Sequence, residues 1–113
     1  MTSLAQETCI ACQPGAQAVS IAERETLLRE LPGWRWLVVE GTERLVNSFA
    51  FKSFREALAF ANAVGELAEE ANHHPELLVE WGKTTVTWWT HTIQGLHRND
   101  FIMAAKPSAL RSE

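Results

Sequence analysis

The hydrophobic positions of this chain fall into blocks whose spacing switches between helical and alternating. Ile21, Leu27, Leu28 and Leu31 share one helical face behind a Ser20/Glu23 capping box, which predicts a first helix over 20–31, stopped by Pro32-Gly33. The segments 34–40 (WRWLVVE) and 44–51 (RLVNSFAF) are rich in β-branched and aromatic residues and flank Gly41-Thr42-Glu43, a hairpin pattern. A second capping box, Ser53 with Glu56, opens the strongest helical signal, predicted over 53–71. Its apolar stripe of Phe54, Ala57, Leu58, Ala61, Val64 and Ala68 is widened by Phe60 and Leu67, so this helix is expected to bury against a sheet and also against something further, such as a partner subunit. It should end just before Asn72-His73-His74-Pro75, because proline disfavours the α conformation in the residue before it. The segments 77–81 (LLVEW) and 83–91 (KTTVTWWTH) then read as a second hairpin around Gly82, and 92–98 as a loop. Asn99 or Asp100 is expected to cap a last helix, DFIMAAK, that fades at Pro107.

The order α-β-β-α-β-β-α predicts an α+β two-layer domain over 20–110, with a four-stranded antiparallel sheet and helices packed on one face. Residues 1–19 show no periodicity and read as a flexible N-terminal arm. The chain's 113 residues suffice for one core and are too few for two.

Composition narrows the function classes. Apolar residues at 46% and charged residues at 21% are globular values, and no apolar run approaches a bilayer-spanning length. The first residues lack the basic and apolar regions of a secretion signal, which makes the cytoplasm the expected location. Ten basic against fourteen acidic residues, with no basic block, argue against a nucleic-acid partner. Cys9 and Cys12 lie in the arm, away from any metal or redox context, and read as incidental.

The chemistry is concentrated between Glu69 and Asp100, which holds all four histidines: His73, His74, His91 and His97. Imidazoles are the side chains that donate and accept protons near neutral pH. At helical spacing, Glu69 is an i, i+4 neighbour of His73 and is expected to orient that imidazole. Strand alternation places Thr87, Trp89 and His91 on one face and Val86, Trp88 and Thr90 on the other. His91, at the end of its strand, is expected to join His73, His74 and Asp100 at one end of the sheet. His97, in a polar loop, reads as a surface residue. The set contains acids and bases but no nucleophile. It also lacks an H-x-x-x-H pair or a nearby cysteine, and adjacent histidines diverge, so no metal site is expected. The five tryptophans read mainly as core, with one able to floor a pocket for a flat heterocycle.

The pattern Glu69-x3-His73-His74-Pro75-x5-Trp81-x9-His91-x8-Asp100 resembles the signature of the pterin-4a-carbinolamine dehydratases, and the likeness extends from about Ile21 to Met103. Wording such as WGKTTVTWWTH and GLHRNDFIMAA is similar to the bacterial enzymes that accompany phenylalanine hydroxylase. The resemblance implies dehydration of 4a-hydroxytetrahydropterin to quinonoid dihydropterin, with the pterin as substrate and no cofactor. It implies His73, His74 and His91 as catalytic residues, with His73 and His74 as the acid/base pair. Asn72 and Thr90 would join the histidines in binding the ring, and Glu69 and Asp100 would act as supporting carboxylates. It also implies a homo-oligomer, dimer or tetramer, and a functional link to phenylalanine hydroxylase. Some relatives have lost catalysis and assist Rubisco assembly, so the competing expectation is a non-catalytic assembly protein acting through the apolar face of the long helix.

Overall fold

The structure, a computed structural model, describes residues 20–90 and 96–112, with side chains through Lys106. Three helices and four strands follow the expected order: α1 (Ile21–Leu28), β1 (Arg35–Val39), β2 (Thr42–Ala50), α2 (Phe54–Ala71), β3 (Glu76–Glu80), β4 (Lys83–Trp88) and α3 (Arg98–Ser112). The strands form one antiparallel sheet in the order β1-β2-β4-β3, so the two hairpins meet through β2 and β4 at its centre. The fold is the α+β arrangement expected from the sequence.

Register decides which residues face the helices. Leu45 pairs with Trp88, Phe49 with Thr84 and Leu77 with Val86, and these residues point to the helical layer. There they meet Phe60, Val64 and Ala68 of α2 and Phe101, Ile102 and Met103 of α3 in one core. The buried Thr84 hydroxyl donates to the Ala57 carbonyl of α2 at 2.6 Å, tying the long helix to the central strand. Trp34, Phe49, Phe60 and Phe51 pack ring against ring along the same layer.

Local chemistry sets the boundaries. Ser20 and Ser53 cap α1 and α2 by accepting from the amides of Glu23 and Glu56, as the two capping boxes predict. Helix α1 is shorter than expected, ending at Leu28, yet Leu31 in the following turn is buried beside Leu27. Eight residues are too few for an independent helix, so burial of these two leucines, about 1.5–3 kcal/mol each, holds the segment in place. The first hairpin turns on two residues, Glu40 and Gly41, both with positive φ, so Thr42 and Glu43 belong to the strand and not to the loop. In the second hairpin Glu80 pairs with Lys83, which moves Trp81 out of the strand into an exposed turn. Trp36 is also exposed, so the tryptophans divide between core and surface. The last helix continues beyond Pro107 to Ser112; a proline removes one amide donor from a helix without preventing later turns from forming.

Candidate active site

The site is assembled where α2 ends, β4 ends and α3 begins. Helix α2 closes at Asn72, whose backbone is left-handed (φ 52°, ψ 42°). The Asn72 amide donates to the Glu69 carbonyl, and the His73 amide reaches back to Ala68 at 3.1 Å. This is the Schellman pattern, in which a left-handed residue reverses the chain and satisfies the last carbonyls. His73 therefore lies off the helix, and the i, i+4 geometry with Glu69 no longer applies to it.

That reversal exchanges the expected partners. His73 Nε2 bonds Asp100 Oδ1 at 2.7 Å, whereas Glu69 Oε1 bonds His74 Nε2, also at 2.7 Å. The two pairs occupy different surroundings. Asp100 is fully buried and the His73 side chain is 10% exposed, while His74 and Glu69 are 54% and 75% exposed. His74 lies with Pro75, Leu77 and Val79 along a groove between α2 and β3. The two adjacent imidazoles thus have separate carboxylate partners.

Asp100 accepts from three groups. Besides His73, it takes the Thr90 hydroxyl at 2.6 Å and the His97 amide at 2.9 Å, both on Oδ2. A buried carboxylate is tolerated when its lone pairs are filled in this way. An ionised carboxylate only accepts, so His73 Nε2 is the donor, and in the neutral imidazole Nδ1 is then the acceptor. Trp88, fully buried, lies parallel to the His73 ring, with centroids 5.6 Å apart and planes 6° apart. Its indole Nε1 has no acceptor among the described residues.

Two participants lie outside the set of site residues expected from the sequence. His97 is not a bystander: it precedes α3, its Nδ1 accepts from the Asn99 amide at 3.1 Å, and its own amide is held by Asp100. Histidine thus takes the capping role expected of Asn99 or Asp100, and His97-x2-Asp100 is legible as a variant capping box. Trp88 was placed by alternation on the face of Thr90 but not beside a histidine. Asn72 is exposed, and its contribution in the structure is its backbone. Thr90 turns its hydroxyl to Asp100. His91, Cys9 and Cys12 lie outside the described residues. Among the described residues no three His, Cys, Asp or Glu side chains are grouped to hold a metal ion, and no helix is long and apolar enough to cross a membrane.

The fold and this site define a class: a two-layer α+β protein in which a buried carboxylate, accepting from a threonine hydroxyl and a backbone amide, also pairs with an imidazole. The chain belongs to the pterin 4 alpha carbinolamine dehydratase family, whose pattern it matches over residues 17–110. A protein of Marinobacter nauticus is 53% identical over 110 residues, covering 97% of this chain and 99% of the relative. One of Chlorobium luteolum is 49% identical over 113 residues, covering 100% and 99%. Both carry the name "Putative pterin-4-alpha-carbinolamine dehydratase". Among solved structures, a transcriptional coactivator/pterin dehydratase from Brucella melitensis is similar with a TM-score of 0.75 and 34% identity, over 83% of this chain and 98% of that one. A pterin dehydratase-like protein identified as a RuBisCO assembly factor in the alpha-carboxysome is similar with a TM-score of 0.60 and 26% identity, over 72% and 92%.

Proposed function

We propose that this protein dehydrates 4a-hydroxytetrahydropterin to quinonoid dihydropterin. In this reaction the 4a hydroxyl takes a proton and leaves as water, with the C4a–O bonding pair. A base takes the N5 proton, and the N5–H bonding pair forms the new C4a=N5 bond. The step is redox-neutral and needs only an acid and a base in place. The observation that carries the reading is the 2.7 Å bond from His73 Nε2 to the buried Asp100, which orients the imidazole and leaves its Nδ1 out of that contact. In this reading His73 and His74 transfer the protons, His91 binds the pterin and assists, Asn72 contacts the ring, and Thr90, buried beneath the site, acts through Asp100. Asp100 orients His73, and Glu69 orients His74.

The proposal extends to setting: a cytoplasmic homo-oligomer that recycles the pterin of an aromatic amino-acid hydroxylase. Support for assembly comes from Phe54 and Leu58 on α2, which remain 47% and 42% exposed in the single chain.

The test is to generate the carbinolamine with a hydroxylase and follow its decay by absorbance. Accelerated decay on adding this protein is the expected result; an unchanged rate sinks the proposal. The same exposed face of α2 favours a second reading, a non-catalytic assembly protein. Co-purification with another enzyme, in the absence of dehydratase activity, would select it.

A further inference from the structure

We propose that Trp88 is a positioning residue for the site, fixing the plane of the His73 imidazole so that its Nδ1 points in a single direction. The inference rests on His73 being the acid/base group of the preceding reading.

Three restraints act on His73, and two of them leave a freedom that only the third removes. The backbone is fixed by the left-handed turn at Asn72 and by the His73 amide bonding to Ala68. The far edge of the ring is fixed by Nε2 bonding to Asp100 at 2.7 Å. A single hydrogen bond at one ring nitrogen tolerates a swing of the ring about the Cβ–Cγ bond, because hydrogen-bond angles are soft over tens of degrees. Such a swing keeps the Asp100 bond and sweeps Nδ1 across an arc.

The indole of Trp88 blocks that swing. Its plane departs from that of His73 by 6° at a centroid separation of 5.6 Å, the geometry of an offset stack. Tilting the imidazole would drive its edge into the indole face on one side and open a gap on the other. Trp88 cannot yield, since it is fully buried in the core and sits opposite Leu45 in the central strand pair. The plane of the sheet's own core is thereby passed to the imidazole. Proton transfer depends steeply on such placement: an error of about 1 Å costs on the order of 10²-fold in rate.

The role predicts a particular pattern of substitution. Trp88→Phe keeps a flat ring on the same strand position and removes an indole N–H that has no acceptor among the described residues. Trp88→Leu and Trp88→Met keep an apolar side chain but offer no plane. The experiment combines dehydratase kinetics with NMR of the histidines, nitrogen shifts for the tautomer and carbon relaxation for ring motion, His73 being assigned by comparison with His73→Gln. Trp88→Phe is expected to stay within about threefold of the parent kcat, and Trp88→Leu and Trp88→Met to lose about tenfold or more of kcat with KM little changed. In alkaline buffer every folded variant is expected to keep the Nε2–H tautomer that Asp100 selects, while ring relaxation is expected to show a rigid His73 imidazole in the parent and Trp88→Phe and a swinging one in the two aliphatic variants. Parent kcat, or a His73 ring as rigid as the parent's, in either folded aliphatic variant would overturn the proposal. The NMR result is read on a chain without turnover as well, so an inactive parent counts against the dehydratase reading while Trp88 is still judged by the rigidity of the His73 ring.

Discussion

Thr90 and Asp100, ten residues apart across the β4–α3 connection, are joined by a 2.6 Å hydrogen bond in which the threonine hydroxyl donates to the carboxylate. It lands on Oδ2, the oxygen that also takes the His97 amide, and so leaves Oδ1 directed to His73. The bond is fully buried, and hydrogen bonds to charged groups are worth about 1.5–3 kcal/mol. Thr90→Val, nearly isosteric, is therefore expected to lower unfolding stability by roughly that amount in urea melts and to reduce dehydratase turnover, with Thr90→Ser restoring both.

Asp100→Asn keeps the shape of the side chain and changes what it offers to His73. An amide can present its NH2 to the imidazole, which would favour the opposite tautomer and remove the acceptor from Nδ1. Turnover is expected to fall by about 10²-fold or more, in the range of general acid/base contributions. Steady-state kinetics, with circular dichroism to verify folding, decide it; parent-like kcat would remove the pair from the mechanism.

The two histidine–carboxylate pairs differ in their value to stability. Glu69 and His74 are largely exposed, and such pairs contribute about 0–1 kcal/mol. Glu69→Gln is expected to leave the denaturation midpoint almost unmoved. His73→Ala, by contrast, opens space beside Trp88 and strips a partner from the buried Asp100, and is expected to cost about 1–3 kcal/mol as well as activity.

Asn72 provides a test of backbone geometry. Its φ of 52° is accessible to glycine and asparagine and costs other residues about 1–2 kcal/mol. Asn72→Gly is expected to be close to neutral in stability, and Asn72→Val to be destabilised and to lose activity through displacement of His73. Equal stability of the two variants in denaturant titrations would contradict the role given to the turn.

The apolar positions Phe54 and Leu58 are expected to govern assembly. If the homo-oligomer forms through this face, Leu58→Glu should shift size-exclusion and light-scattering mass to the single chain while preserving the helical circular dichroism. An unaltered mass would place the interface elsewhere.

What the sequence by itself determined is local. Ser20 and Ser53 announce their helices because a cap contacts residues two or three positions ahead, and the β-branched and aromatic runs announce strands because their alternation is intrinsic to the pleat. The residues that pair here were legible as candidates, since Glu69, His73, His74 and Asp100 stand in a recognisable pattern with Thr90 beside it. Boundaries were less so: the two-residue turn at Glu40-Gly41 depends on register, which is a property of two paired strands. The pairing of the site belongs to tertiary structure for the same reason. Helical spacing assigns Glu69 to His73, but one left-handed residue at Asn72 ends that spacing and turns His73 toward Asp100, 27 positions away, where the end of β4 supplies Trp88, the residues after it Thr90, and the residue before α3 the His97 amide. Which imidazole is buried, which carboxylate it meets and what plane it keeps are set by long-range packing, because only there do groups distant in sequence come close enough for hydrogen bonds and ring stacking to select among local alternatives.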